Sequence, residues 1–234
     1  MYPSIKPVSE SAFIIYFGDH IDLALPQLIA RVKARLEQLS GFALIECIAS
    51  YTTLLVEYHP LKISAIELHA LIESALRELP AENQVAQGKC IELPTYYSLQ
   101  SGPDLALIAK AKGLSIEHII SIHSQQRYTV CAIGFAPGFA FLASVDKAIQ
   151  SPRHHKPRML VPAGSVGIAD QQTAVYPTQS PGGWNIIGNC PLPLFDPSGD
   201  PITPFSVGDS VQFNAIDFDD YVSLGGQICW DWRS

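Results

Sequence analysis

Arg153 and Arg158 bracket His154-His155-Lys156-Pro157, the most basic stretch of a chain that carries little charge. A guanidinium presents a planar fork of N–H donors that fits a carboxylate or a phosphate through two parallel hydrogen bonds. Arg158 is the better candidate, because it leads directly into Val161-Pro162-Ala163-Gly164-Ser165. For Arg153 a solvated loop is an equal reading. A glycine-containing turn such as Gly164-Ser165 can aim backbone N–H groups at an anion. Gln172, Thr173 and Tyr176 then add an amide, a hydroxyl and a phenol. Gly182-Gly183 lets a substrate approach the backbone, and Trp184 supplies a wall or a core side chain. His123 is expected at the end of a helix, where the dipole favours its charged form. It reads equally as an acid or base and as a satisfied structural histidine. An anion clamp, an oxyanion stabiliser and a proton shuttle are the parts of an acyl or phosphoryl chemistry.

Several chemistries are excluded. There is no Walker phosphate loop, no G-x-G-x-x-G after a strand, no H-E-x-x-H and no G-x-S-x-G. His154 and His155 are adjacent and would point apart on a strand. His118 and His123 have the wrong spacing for one helical face. No metal site is expected.

The composition is that of a folded protein, 47% hydrophobic and 16% charged. Net charge is −7 with no basic stripe, which argues against nucleic acid as a partner. The apolar stretch 130–145 is broken by Gly134, Pro137 and Gly138 and is too short to span a membrane. Met1-Tyr2-Pro3-Ser4-Ile5-Lys6 lacks the apolar region of a signal peptide. The 5 cysteines include no C-x-x-C pair. Reduced thiols in a cytoplasm are expected.

These residues must be positioned by two unlike halves. The first reads as a strand over 11–17, a helix with Leu28, Ile29, Val32, Leu36 and Leu39 on one face, strands over 42–49 and 53–58, and a second helix. Ser64 and Glu67 form the capping box of that helix, with Leu68, Leu71, Ile72, Ala75, Leu76 and Leu79 on its apolar face. A strand over 90–97 either completes a split βαβ pattern of the ferredoxin-like kind or opens the next domain. Residues 80–88 are a polar break. Then come helices stopped by Gly113 and capped by Ser115, and short strands over 127–135, 159–161, 165–169, 174–176, 184–188 and 210–214. Many short strands with glycine and proline turns predict a closed barrel or a sandwich. A last short helix is expected over 217–224.

The succession of motifs carries a resemblance. Gly134-Phe135-Ala136-Pro137-Gly138-Phe139, Pro152-Arg153, Pro157-Arg158, Val161-Pro162-Ala163-Gly164-Ser165-Val166, Gln172-Thr173, Tyr176-Pro177, Ser180-Pro181-Gly182-Gly183-Trp184, Leu194-Phe195-Asp196-Pro197 and Gly208-Asp209 stand in order. So do Gly102-Pro103-Asp104-Leu105 and His123-Ser124. The chain resembles the family of 5-oxoprolinase B subunits, also called allophanate hydrolase subunit 1, which includes the sporulation histidine-kinase inhibitor. Asp170 and Ala174 stand where that family usually has glycine, and Tyr97-Ser98-Leu99-Gln100 replaces a more glycine-rich turn.

The resemblance implies an α+β, ferredoxin-like N-terminal domain over 1–86 and a mainly-β, cyclophilin-like barrel over 87–234. It implies a complex with the C and A subunits of 5-oxoprolinase that opens 5-oxoproline to glutamate using ATP. ATP is then expected to be used by the complex, with no nucleotide motif in this chain. A similar pair of domains forms the carboxyltransferase part of urea carboxylase. On this reading His123 and Arg158 are catalytic, and Arg153, Gly164, Ser165, Gln172, Thr173, Tyr176, Gly182, Gly183 and Trp184 bind substrate. The alternatives are a module that docks on a histidine kinase and inhibits it, and a non-catalytic component that only holds the C subunit.

Overall fold

The computed structural model describes residues 3–78, 88–228 and 232. The chain divides into two compact units, Met1–Gly88 and Lys89–Ser234.

The first unit is a four-stranded antiparallel sheet carrying two helices. Its elements are β1 (Ser4–Ser9), β2 (Ala12–Tyr16), α1 (Leu25–Ser40), β3 (Leu44–Ala49), β4 (Thr53–Tyr58) and α2 (Ala65–Arg77). The strand order is β1-β2-β4-β3. Helix α1 buries Pro26, Ile29, Val32 and Leu36 at helical spacing, with the proline in its first turn, and Gly41 follows it at φ +54. Helix α2 is opened by the expected box: Glu67 N donates to Ser64 Oγ at 3.3 Å, and Ser64 N donates to Glu67 Oε2 at 2.9 Å. Leu68, Ile72 and Ala75 form its buried stripe; Leu79 lies outside the described residues.

One feature differs from expectation, and one alternative left open is decided. Strand β1 pairs antiparallel with β2, Ile5 opposite Ile15. Its sequence contains Pro7, which an edge strand tolerates because one side of its backbone needs no ladder partner. The strand that begins at Cys90 does not join this sheet. It belongs to the second unit, so the ferredoxin-like connectivity is not completed in that way; β1 occupies the edge beside β2.

The second unit contains β5 (Cys90–Tyr96), α3 (Leu105–Lys112), α4 (Ile116–Gln125), β6 (Arg127–Ile133), β7 (Ala140–Ala143), β8 (Arg158–Val161), β9 (Ser165–Ala169), β10 (Gln172–Val175), β11 (Ser180–Gly182), β12 (Asn185–Asn189), β13 (Ser210–Ile216) and α5 (Phe218–Ser223). Among the described residues, seven strands close into a barrel in the order β10-β7-β6-β13-β5-β12-β9. Strands β5 and β13 pair in parallel, Leu93 opposite Phe213. Strands β9 and β10 alternate between two clusters. Val166, Ile168 and Val175 face the main core, whereas Ala169 and Ala174 join a second cluster with Phe139, Val161, Tyr176, Trp184 and Ile186. Strands β8 and β11 form a separate two-stranded sheet, which brings Val161 to that second cluster. Asp170 takes φ +52, a left-handed conformation that glycine adopts freely and aspartate tolerates. This accounts for the aspartate at a position where the resembling family has glycine.

Candidate functional site

The second cluster is where charged side chains converge. Residues 98–104 form a stiff loop against β12. Ser98 N donates to Ser101 Oγ and Ser101 N to Ser98 Oγ, both at 3.1 Å, and Gly102 N donates to Ser98 O at 2.7 Å. A Cβ on Gly102 would collide with the backbone of Ile187. The loop delivers Asp104, whose N–H donates to Ile186 O at 3.0 Å while its Oδ2 accepts the Ile186 N–H at 2.7 Å. Arg158 then donates from Nη1 to Oδ2 at 2.9 Å and from Nη2 to Oδ1 at 2.8 Å. The pair is largely out of water, with side-chain exposures of 17% for Arg158 and 6% for Asp104. His154 Nε2 lies 3.3 Å from Asp104 Oδ1.

Two tryptophans receive the arginines. The Arg153 guanidinium carbon sits 5.6 Å from the Trp184 ring centre, and that of Arg158 sits 5.8 Å from Trp232. Trp232 is fixed in turn by its indole N–H, which donates to Gln100 O at 2.8 Å. Trp184 packs edge-on against Phe139, as does Tyr176. Burial pushes the Tyr176 phenol up to about 12, against the opposing pull of its hydrogen bond at Trp184 and of the nearby Arg153 and Arg158 charges. Its hydroxyl is therefore protonated at neutral pH. Gly182 is required beside it, because a Cβ there would collide with that hydroxyl. Gly183 O accepts the His154 N–H at 2.7 Å. Arg153, Arg158, Tyr176, Gly182, Gly183 and Trp184 are thus brought together.

The Gly164-Ser165 turn is elsewhere in its chemistry. Gly164 has φ +78, and a Cβ on it would collide with Cys190 O and lie 2.8 Å from Asn189 Oδ1. Its N–H donates to Tyr176 O at 2.7 Å and that of Ser165 to Pro162 O at 3.3 Å. Both N–H groups are occupied by carbonyls, so the expected anion-facing turn is corrected: the glycine serves close packing. Ser165 Oγ is buried without a hydrogen-bond partner. Gly164 lines a cleft of about 440 Å³ with Pro162, Pro177, Asn189, Cys190 and Leu192.

His123 lies on the last turn of α4 but points into the barrel, fully buried. Thr173 Oγ1 donates to Gly167 O at 3.0 Å, which makes it an acceptor for His123 Nε2–H at 2.9 Å. Nδ1 then accepts the Tyr97 hydroxyl at 2.7 Å. The chain of donors ends on a backbone carbonyl. Burial lowers the His123 pKa to about 3, so the ring is neutral. Phe213 packs 4.5 Å from it, centre to centre. This is the environment of a structural histidine, not of a proton shuttle, and the arginine cluster is outside the barrel wall from it. Gln172 opens β10, one residue before Thr173.

The sequence by itself does not mark Asp104, His154 or Trp232 as site residues. The readable signal for Asp104 is a lone acid between Pro103 and an apolar helix. For Trp232 no local pattern exists. Among the described residues no group of three or more histidine, cysteine or acidic side chains could hold a metal. No described helix is long and apolar enough to cross a membrane.

Residues 3–205 match the family described as carboxyltransferase domain, subdomain C and D. The chain is 39% identical over 227 residues to a Bacillus subtilis (strain 168) protein named as the B subunit of 5-oxoprolinase, covering 93% of this chain and 94% of that protein. It is 35% identical over 206 residues to the Escherichia coli O157:H7 protein of the same name, covering 88% and 93%. The crystal structure of TTHA0988 superposes with a TM-score of 0.77 at 34% identity over 88% of this chain, which spans 40% of that longer one. The chain belongs to the family of 5-oxoprolinase B subunits, also called allophanate hydrolase subunit 1.

Proposed function

We propose that this chain is the B subunit of an ATP-dependent 5-oxoprolinase, acting with the A and C subunits to open 5-oxoproline to glutamate. The observation that carries the reading is the near-full-length identity to a protein of that name; the arginine cluster supplies chemistry that suits it. A five-membered lactam is a poor electrophile. Transfer of the ATP γ-phosphoryl group to its oxygen, with release of ADP, makes the ring carbon open to water. Addition of one water gives a tetrahedral carbon; cleavage of its C–N bond, with a proton going to nitrogen, leaves an acyl phosphate, and a second water displaces phosphate to give glutamate. ATP use is placed in the complex as a whole, since this chain has no Walker loop, and no step is assigned to a nucleotide here.

This chain's part is to bind. Arg158, with Arg153, holds the substrate carboxylate; Trp184 is a wall; Gly182-Gly183 admits the substrate to the backbone; the neutral Tyr176 hydroxyl stands beside them. His123 and Thr173 keep the barrel wall in register. The finer fold readings go with this proposal: a cyclophilin-like barrel, and an N-terminal unit related to the ferredoxin-like arrangement with β1 in place of its last strand. The experiment is glutamate release from 5-oxoproline and ATP by the purified chain, with and without the A and C subunits. Turnover is expected only from the three together. Turnover by this chain alone, or full turnover without it, overturns the proposal.

A further inference from the structure

Asp104 is a carboxylate for which carboxylate binding has no direct need. It is 4% exposed, and its charge opposes that of an incoming anion. Nor does net stability explain it, because desolvation of two buried charges offsets most of their attraction. Yet residues 98–104 are organised to hold it. The reciprocal serine bonds, the contact at Gly102 that admits no side chain and the double tie to Ile186 all fix its position. Both carboxylate oxygens then engage Arg158 end-on.

An arginine in water samples many rotamers, and ordering it costs free energy at the moment of binding. The end-on pair sets the guanidinium plane beforehand. It uses one hydrogen from each terminal nitrogen and leaves Nε–H and the outer terminal hydrogens directed away from Asp104. Trp232 limits the plane from one face. His154, held by its backbone bond to Gly183, comes to the same carboxylate.

We infer that Asp104 is a positioning residue: it fixes the Arg158 guanidinium so that the N–H edge it does not use meets the substrate carboxylate. This rests on the proposed role of Arg158 in carboxylate binding. Asp104 itself touches no substrate. It acts by making the arginine one conformer.

The test measures the KM for 5-oxoproline in the chain assembled with its two companion subunits, and the guanidinium NMR signals of Arg158 in the full chain. The variants are Asp104→Asn, Arg158→Ala, and Asp104→Asn combined with Arg158→Gln. Asp104→Asn is expected to raise KM about tenfold or more and to merge the resolved terminal N–H signals of Arg158, since rotation is freed. The double variant buries no unpaired charge and is expected to melt closer to the wild type than Asp104→Asn, with KM still raised. Its KM is raised because it lacks the binding arginine, so it is the stability control, and positioning is read from the KM and the Arg158 signals of Asp104→Asn at a temperature below its melting point. An Asp104→Asn variant with wild-type KM, or with unchanged Arg158 signals, overturns the inference while a raised KM in Arg158→Ala leaves the carboxylate reading standing. An unchanged KM in Arg158→Ala overturns that reading and the inference with it.

Discussion

Arg158 and Asp104, 54 residues apart in sequence, meet through two parallel hydrogen bonds of 2.9 and 2.8 Å, with both side chains largely withdrawn from water. The sequence alone presents Arg158 as an anion clamp and shows no buried partner for it. The pairing changes that expectation. Arg158→Ala leaves a buried carboxylate without its partner, which costs about 3 kcal/mol or more. Arg158→Lys keeps the charge but loses the fork and is expected to lie between Ala and wild type. Thermal melts of the three proteins test this order. Equal melting temperatures would show that the pair is solvated in solution.

His123 makes stability depend on pH. Its folded pKa is near 3 against an ordinary 6.5. Between those values the unfolded chain binds a proton that the folded one does not, so stability is full above about pH 6.5 and falls as pH drops toward 3. The slope from this residue approaches about 1.4 kcal/mol per pH unit within the window. His123→Gln removes the titration and is expected to flatten the melting-temperature profile between pH 6 and about 4, after a constant loss from repacking. Parallel profiles for variant and wild type would show that His123 titrates normally.

What the sequence reveals depends on range. Helix α2 is legible because capping box and apolar face lie within one stretch, and β9 because its turn residues flank it directly. Strand β1 is hidden by Pro7 and by an exposed edge that imposes little alternation. The parallel β5–β13 pairing joins residues 120 positions apart, Ser210 opposite Cys90, and no local pattern encodes it. Within the site, the glycines and the arginines stand out by type. Their partners do not: Asp104 becomes meaningful only through β8, and Trp232 only through Arg158 and Gln100. His123 is visible as a residue, but its role depends on which side of the barrel wall it faces.

The second unit is expected to fold by itself. Its first strand is tied at its start to the beginning of β13 by two bonds: Lys89 N donates to Asp209 Oδ1 and Lys89 O accepts the Ser210 N–H, each at 2.9 Å. A fragment that begins at Gly88 retains both bonds and the whole barrel. It should melt in one cooperative transition followed by circular dichroism. A fragment begun at Leu93 loses the start of β5 and should not. A Gly88 fragment without a transition would show that the barrel needs the first unit.

Gly164 and Gly113 separate the two reasons for a glycine. Both have positive φ, +78 and +65. Around Gly113, at the end of α3, a Cβ would meet nothing within 4 Å. Gly113→Ala therefore carries only the left-handed backbone penalty, about 1–2 kcal/mol. At Gly164 the same penalty is joined by a collision with Cys190 O and a 2.8 Å approach to Asn189 Oδ1, in a turn whose N–H is bonded to Tyr176 O. Asn189 cannot withdraw easily, because its amide donates to Ala163 O and accepts from Tyr221. Backbone on both sides must move, so Gly164→Ala is expected to cost more than Gly113→Ala by at least about 1–3 kcal/mol, as overpacking does. Denaturant titrations of the two variants measure the difference. Equal losses would show that the β9 turn yields to a methyl group, and that the cleft beside it is looser than its hydrogen bonds imply.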